Sequence, residues 1–380
     1  MIDRASHARS SRERARPRAG RRLELPPSAG RYALALIFGL LALAGSGSGT
    51  SARIAGAAAP SPLPAGCSST VESVVLIGGE TVDAATIDRD PLALLPGGVI
   101  LLSYLDAATL WKTELGPDVA KLTQNLIPLG PSANFVPSRD VTRIYGGVYA
   151  MQGADFCMVV QGQFDVESIE RAAEARALAT NGAPLVKTKY AGNEIYTAGN
   201  VGFVVLTANT LLSGNETGMR RALDRLRFNK LSRAMPIWMS ELTITPNASF
   251  TLAGDFTGQV PLDALASKAP FMAGLRQMRI LGNFQPPGMN LAGTLSYADA
   301  PTATTGAQSL RSVQSFTQLL GILSSFGFGG SLPPMQVGQQ GSDVQFTLPV
   351  DSRYASFLLR LGIAATTPTT LGASTATSGR

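Results

Sequence analysis

The sequence has almost no histidine. Its single histidine, His7, lies in an arginine-rich N-terminal segment, and the rest of the chain has none. This excludes Ser-His-Asp and Cys-His nucleophilic sites, HExxH zinc sites and any imidazole general base from the body of the protein. The sequence also has no GxxxxGK[ST] phosphate loop. We therefore expect neither a metal site nor a cofactor.

Cysteine is also scarce, with only Cys67 and Cys157. A disulfide between them is possible in an oxidising compartment, but Cys157 lies inside the apolar run FCMVV, which favours a buried, inert thiol. Cys67 follows Leu63-Pro64-Ala65-Gly66, which resembles the lipobox of bacterial lipoproteins, although Pro64 stands where a leucine is expected. Cys67 is therefore a candidate for lipidation. The alternative is an unmodified cysteine at the end of a linker.

The basic charge of the chain is confined to one end. The formal net charge is +6, yet residues 1–66 alone hold ten arginines against three acidic residues. The remainder holds 22 basic and 23 acidic residues. Because the excess belongs to the N-terminal segment, we expect no nucleic-acid partner.

The N-terminal segment has the layout of an export signal. A positive region precedes the apolar run Tyr32–Ala44, which ends in the small-x-small sequence Ala42-Leu43-Ala44. Thirteen apolar residues span only about 20 Å as a helix, against roughly 30 Å of bilayer core. We predict a signal peptide over 1–44, with an uncleaved anchor as the alternative. A Gly/Ala/Ser/Pro linker over 45–70 follows, and the protein is expected in the periplasm or attached to a membrane of a bacterial envelope.

The rest of the chain predicts an α+β fold of two tandem related units, at 71–232 and 233–363. Each unit is expected to be a largely antiparallel sheet with helices packed on one face. Both follow the order β-α-β-β-α-β-β-α, and Met289 and Asp351 lie 134 positions after Asp155 and Thr217. Residues 364–380 lack apolar periodicity and predict a disordered tail.

Several element predictions bear on the site. The period-two pattern of Phe156, Met158 and Val160 predicts a half-buried strand. Leu185–Ala198 and Val201–Leu212 are predicted to pair as one hairpin through Ala198-Gly199-Asn200, before a helix from Thr217 to Phe228. A helix from Ala107 to Leu126 is expected to break near Gly116-Pro117. In the second unit we predict a helix from Leu262 to Leu275.

Three features together suggest a relationship: the pattern LLPGGVILLSYLDAATLW, the hairpin-helix units, and the closing DVQFTLPVD before a helix. Over Leu92–Ala364 the sequence resembles a loose group of uncharacterised exported bacterial proteins built from such repeats. The resemblance implies the α+β fold and an envelope location, and it carries no functional residue.

The second unit contains few charges, with 12 charged residues over 234–362 against 26 over 97–233. Two apolar segments, Ala234–Met239 and Leu319–Phe328, belong to this part of the chain. If exposed, they indicate a lipid groove, a membrane surface or an envelope-protein contact. If buried, they form the second core. The candidate ligand-binding residues are Trp238, Met239, Phe316, Leu320, Phe326 and Phe328, for a small molecule that the sequence does not identify.

The helix that begins near Thr217 contains several cations opposed mainly by Asp224. The functional interpretation is a patch for anionic head groups, a phosphorylated polysaccharide or an acidic partner; the alternative is a solvated helix face. The candidate patch residues are Arg220, Arg221, Arg225, Arg227 and Lys230.

The sequence thus favours a non-enzymatic binding or scaffolding protein of the cell envelope, with a hydrophobic or lipid-like ligand as the sharpest version. The alternative is a histidine-independent carboxylate hydrolase acting on an envelope polymer. Its candidate residues follow predicted strands, where turn and cap roles also explain them: Asp140, Asp155, Asp165 and Asp255.

Overall fold

A computed structural model describes residues 82–129, 131–149, 155–175, 184–199, 201–258, 262, 266, 269–285, 288–322, 335–353, 355–356 and 359–360. In the last long helix, side chains are described as far as Ser312. The predicted signal peptide, linker and C-terminal tail lie outside the described residues, as does Cys67.

Within the described residues, twelve strands form one antiparallel sheet. In chain order they are β1 (Leu101–Asp106), β2 (Val141–Val148), β3 (Phe156–Gly162), β4 (Val186–Tyr190), β5 (Asn193–Ala198), β6 (Val201–Val205), β7 (Thr210–Gly214), β8 (Phe250–Asp255), β9 (Leu275–Gln285), β10 (Gly288–Tyr297), β11 (Gln336–Gln340) and β12 (Asp343–Asp351). Their order across the sheet is β11-β12-β10-β9-β8-β1-β2-β3-β7-β6-β5-β4.

Nine α-helices accompany the sheet in the described part of the chain. They are α1 (Ala84–Arg89), α2 (Pro91–Leu94), α3 (Ala107–Leu110), α4 (Gly116–Leu126), α5 (Pro137–Asp140), α6 (Val166–Glu174), α7 (Glu216–Arg227), α8 (Ile237–Leu242) and α9 (Ala300–Ile322). The predicted α+β class with a largely antiparallel sheet is confirmed. The break between α3 and α4, at the start of the Gly116-Pro117 pair, also agrees with the sequence.

The two halves of the chain meet within the sheet. The N-terminal half contributes β1-β2-β3-β7-β6-β5-β4 and the C-terminal half β8-β9-β10-β12-β11, and β1 pairs with β8 from Leu101↔Gly254 to Leu105↔Phe250. The sheet is therefore continuous across residue 233. The tandem duplication, with unit limits at 71–232 and 233–363, stays a prediction.

Helices lie against both faces of the sheet, which differs from the expected single face. Alternate residues of β3 enter different cores because successive strand side chains point to opposite faces. Phe156, Met158 and Val160 join a first core with α4, α6 and α9. Cys157 and Val159 join a second core with α1, α2, α7 and α8.

The prediction that β3 is half-buried is accordingly wrong, since all five residues of FCMVV are buried. Burial in the second core raises the pKa of the Cys157 thiol to about 12. The expected buried, free thiol is confirmed.

Residues 186–214 form four strands where the sequence suggested two. The expected pairing of Ala198 with Val201 is present, but each predicted strand is itself a hairpin. Ala191 and Gly192 both have positive φ, of 49° and 80°, which closes a two-residue turn between β4 and β5. Between β6 and β7 the Thr207 hydroxyl accepts hydrogen bonds from the backbone of Asn209 and Thr210.

The predicted helix from Leu262 to Leu275 extends too far. A 3₁₀ turn occupies Pro270–Met272, and β9 begins at Leu275. Gly274, with φ of 70°, provides the reversal between them, and this left-handed conformation ends any helix before the strand.

Candidate functional site

Three of the five exposed large apolar side chains of the described residues lie within residues 228–244, at the end of α7 and in and just after α8. Among the described residues, the three most exposed large apolar side chains are Ile237 at 74%, Ile244 at 67% and Phe228 at 56%. Two others, Val186 and Val136, lie elsewhere. A local concentration of apolar surface marks a contact site more strongly than scattered single residues. The α7–α8 surface is defined here as Arg227, Phe228, Lys230, Ile237 and Ile244.

The short helix α8 fixes the direction in which its isoleucines point. Residues four positions apart share a helix face, and both Ile237 and Glu241 are exposed, as is Ile244 in the turn that follows α8. On the opposite face Met239 is fully buried and Thr243 is 5% exposed. Because the buried side is already occupied by core residues, rotating α8 to bury Ile237 would expose Met239. The isoleucines are therefore held outward by packing.

The end of α7 places an aromatic ring close to two cations. Asn229, with φ of 49°, ends the helix, and Phe228 lies just beyond its last residue. The Arg227 guanidinium carbon lies 5.4 Å and the Lys230 Nζ 5.9 Å from the centroid of the Phe228 ring. Both distances are within cation–π range. Within the described chain, neither cation belongs to an ion pair closer than 4.0 Å.

The other cations of the predicted patch form ion pairs, hydrogen bonds or cation–π contacts with groups of the same chain. Arg220 forms an ion pair of 2.5 Å with Glu216 and lies 4.9 Å from the centroid of the Tyr190 ring. Arg221 donates a 2.8 Å hydrogen bond to the Gly97 carbonyl. It also stacks on the Tyr149 ring, 4.8 Å from the centroid.

Arg225 has the same structural role. Its Nε donates a 2.9 Å hydrogen bond to the Ala93 carbonyl, and Nη2 donates to the Ser232 carbonyl. Burial lowers the pKa of Arg225. Nearby, Arg233 forms a 3.0 Å ion pair with Asp90. Arg221, Arg225 and Arg233 thus hold residues 90–97 against α7 and the segment after it, and Arg220 pairs with Glu216 within α7. Of the predicted patch, Arg227 and Lys230 are the two cations that lie beside Phe228.

The predicted ligand-binding residues are only partly described. Trp238 is half-buried, and the Arg279 guanidinium stacks over its indole at 4.7 Å. Met239 is a core residue. Phe316 and Leu320 lie in the part of α9 whose side chains are not described, while Phe326 and Phe328 lie outside the described residues. Their joint role in ligand binding stays a prediction.

Next to Trp238, the sheet face of the C-terminal half forms an open groove. Leu242 and Arg279 border it on the α8 side, and its floor follows cross-strand neighbours over β9, β10, β12 and β11. That floor alternates small apolar and polar side chains: Leu281, Ala292, Thr294, Gln336, Gln345 and Thr347. Such a surface resembles a solvated sheet face more than an enclosed lipid pocket.

The four candidate carboxylates take part in local hydrogen bonds. Asp140 accepts from the Val136 backbone at 2.8 Å, and Asp155 accepts from Asn215 at 3.0 Å. Asp165 caps α6, and Asp255 accepts from the Thr257 hydroxyl at 2.6 Å. Hydrogen bonds from Asn134 and Ser168 lower the pKa of Asp165 to about 2. The contacts of Asp140, Asp165 and Asp255 are the turn or cap roles that the sequence also allowed, whereas Asp155 accepts from a residue 60 positions later in the chain.

The described residues also lack two features that would indicate a function. They include no group of three or more His, Cys, Asp and Glu side chains placed to hold a metal ion. None of their helices combines the length and apolar character needed to cross a bilayer.

Sequence reasoning missed Phe228 and Ile244, and it considered Ile237 only as part of an apolar segment. The sequence places Phe228 at the end of the predicted helix. The alternation Arg227-Phe228-Asn229-Lys230 was the available signal that its side chain is exposed between polar residues. The exposure of the isoleucines depends on which side of α8 faces the second core, and the pattern of a six-residue helix does not determine this.

Comparison with known proteins gives a limited result. No family model and no curated protein match the chain. Solved structures of TP0453 match at a distance: crystal form III has a TM-score of 0.44 and 13% identity, covering 71% of this chain and 97% of that one. Crystal form I has a TM-score of 0.45 and 13% identity, covering 72% and 97%. Similarity at this level supports no conclusion about the fold or the function of this chain.

Proposed function

We propose that the protein is a non-enzymatic, exported protein of the cell envelope that docks on a lipid membrane through the α7–α8 surface. The observation that carries this proposal is the position of Phe228, Ile237 and Ile244, the three most exposed large apolar side chains of the described residues. Exposed apolar side chains beside cations are typical of surfaces that insert shallowly into a membrane interface.

The expected strength of this contact is modest. Complete burial of one such side chain contributes about 1.5–3 kcal/mol, and three partly inserted side chains therefore contribute roughly 3–6 kcal/mol. This range corresponds to weak, reversible docking, because stable attachment of a peripheral protein generally needs a second membrane signal. The predicted N-terminal anchor, either a lipidated Cys67 or a retained leader, is a candidate for that signal.

The path of the chain is compatible with the two contacts acting together. The described residues begin at Val82, and α1 and α2 pack in the second core beside α7 and α8. Val82 lies fifteen positions after Cys67, a distance of up to roughly 50 Å for an extended chain. A membrane attachment at Cys67 could therefore bring the α7–α8 surface to the same membrane.

The proposal is tested by vesicle flotation of the mature protein recovered from cells, comparing wild type with the double variant Phe228→Ser/Ile237→Ser. We expect the variant to lose about tenfold or more of its vesicle affinity, because two apolar side chains no longer enter the interface. The matched control is Val136→Ser/Val186→Ser, which removes exposed apolar side chains elsewhere and should bind like wild type. Equal binding by the Phe228/Ile237 variant and wild type would contradict the proposal.

A further inference from the structure

The cations of α7 and the residues that follow it divide into two groups. Arg220, Arg221, Arg225 and Arg233 donate to carbonyls or pair with carboxylates of the same chain. Arg227 and Lys230 instead both lie within 6 Å of the centroid of the exposed Phe228 ring, at 5.4 and 5.9 Å. In the described part of the chain they have no such partner, so their charge is available at the surface.

We propose that the α7–α8 surface selects membranes containing anionic phospholipid, with Arg227 and Lys230 binding the phosphate-bearing head groups while Phe228 enters the interface beside them. This inference rests on the proposed membrane docking and specifies its partner. Charge complementarity supports it, since basic side chains near an anionic leaflet each add favourable interaction energy. Phenylalanine is also among the side chains that interfacial helices bury at the boundary between head groups and acyl chains.

Glu241 provides an internal test of the orientation. It lies between Ile237 and Ile244 on the exposed face of α8, so the docked geometry brings its carboxylate close to the anionic leaflet. Like charges repel, and this carboxylate should weaken binding. Removing its charge should therefore act in the opposite direction from removing Arg227 and Lys230.

The experiment compares flotation of the mature protein with vesicles of phosphatidylcholine alone and of an equal mixture with phosphatidylglycerol. For wild type we expect tighter binding to the mixed vesicles, with the difference reduced by salt. Arg227→Gln/Lys230→Gln should lose about 10- to 30-fold in affinity for the mixed vesicles, as expected for two interfacial cations, and little for neutral ones. Glu241→Gln should bind the mixed vesicles more tightly than wild type.

The matched control is Lys112→Gln/Lys121→Gln. It makes the same change of charge at exposed residues of the segment that packs in the first core, on the opposite face of the sheet, and it should bind like wild type. Equal losses in the control and in Arg227→Gln/Lys230→Gln would overturn the inference, because net charge alone would explain them. The single variant Lys230→Gln, at an exposed residue, repeats the test if the double variant unfolds.

The outcomes separate this inference from the proposed function. If Phe228→Ser/Ile237→Ser abolishes binding while Arg227→Gln/Lys230→Gln does not, docking stands and anionic selection is wrong. If the cation variant loses binding to soluble polyphosphate and keeps its vesicle binding, the partner is a polyanion and the inference is again wrong. If wild type binds neither the neutral nor the mixed vesicles, both the proposed membrane docking and the inferred anionic selection are wrong.

Discussion

Asp88 shows how one residue can fix the position of an N-terminal element. Its carboxylate accepts hydrogen bonds from the hydroxyls of Thr207 and Thr210, at 2.6 and 2.7 Å, and from the Asn209 amide at 3.0 Å. These three groups belong to the turn from β6 to β7. Burial alone raises the pKa of Asp88, but the three hydrogen bonds together outweigh burial and lower it below 3.8.

The first prediction concerns this carboxylate. Asp88→Asn should lower the free energy of unfolding at neutral pH by about 1–3 kcal/mol, because an amide cannot satisfy all three donors. A carboxyl group whose pKa is lower in the folded state stabilises the fold above its unfolded pKa, and this contribution is lost as pH falls through the folded pKa. The difference between variant and wild type should therefore be largest above about pH 4 and shrink below it.

Urea unfolding at a series of pH values measures this difference. Asp83→Asn is the control, because Asp83 precedes the same helix and its side chain makes no capping hydrogen bond. A difference for Asp88→Asn that stays constant down to pH 3 would show that the carboxylate charge is not responsible.

At the scale of elements, α7 combines a structural and an exposed set of cations. Arg225 and Arg227 lie two positions apart on one helix, yet the Arg225 guanidinium donates to two carbonyls while Arg227 lies beside Phe228. The same substitution at the two positions should therefore have different consequences.

The second prediction is a dissociation of stability from binding. Arg225→Gln should lower the free energy of unfolding by about 1–3 kcal/mol, because the carbonyls of the buried Ala93 and of Ser232 lose a charged donor. Arg227→Gln should change it by less than about 0.5 kcal/mol, as is usual for surface substitutions, and should weaken binding to anionic vesicles. Urea unfolding and vesicle flotation of both variants test this, each variant serving as the other's control. Equal losses of stability would mean that Arg227 also has a structural role.

These arginines also show where sequence reasoning ends. The periodicity of α7 predicts the helix to within a residue at each end, because apolar spacing is local. The partners of Arg221 and Arg225 are backbone carbonyls 124 and 132 positions earlier in the chain. A backbone carbonyl leaves no signature in the sequence, so a cationic helix looks the same whether its charges face solvent or hold a distant segment.

The strand predictions have a similar limit. The two-residue period of FCMVV correctly predicts a strand, but the small, apolar Cys157 and Val159 on its other face fit either a solvated or a second buried surface. Their burial depends on α1, α2, α7 and α8 covering that face. For β4 and β5, the Ala191-Gly192 turn was within reach of the sequence, since glycine favours positive φ, but the alternating residues on either side suggested one continuous strand.

At the scale of the whole molecule, the first core crosses the junction between the two halves. It includes Leu101 and Phe156 from the N-terminal half and Phe250 and Val350 from the C-terminal half. Polar contacts also connect the two halves: the Ser352 hydroxyl donates to Glu114 at 2.7 Å, and Arg360 pairs with Asp118 at 3.3 Å. Separating the halves would expose the edges of β1 and β8 as well as the shared apolar surface.

The third prediction is that both halves unfold in one cooperative transition, because neither retains a complete core when the other unfolds. The two tryptophans of the sequence report on different halves: Trp111 donates a 2.7 Å hydrogen bond to the Val141 carbonyl, and Trp238 lies on α8. In Trp238→Phe, urea unfolding followed by Trp111 fluorescence should coincide with far-UV circular dichroism. In Trp111→Phe, the same should hold for Trp238. Comparing the two signals within each variant removes the effect of the substitution on stability.

Non-coincident transitions would favour the tandem domains at 71–232 and 233–363. If Trp238 fluorescence changed at lower urea than circular dichroism, the C-terminal half would open first and break the β1–β8 pairing. The groove beside Trp238 and the exposed face of α8 would then belong to a unit that moves independently of the N-terminal half. A single transition instead means that the N-terminal half, with α1 and α2, and the C-terminal half, with α8, fold as one unit joined by a continuous sheet. In that case, a membrane contact at the α7–α8 surface and an attachment at the N-terminus act on one rigid body.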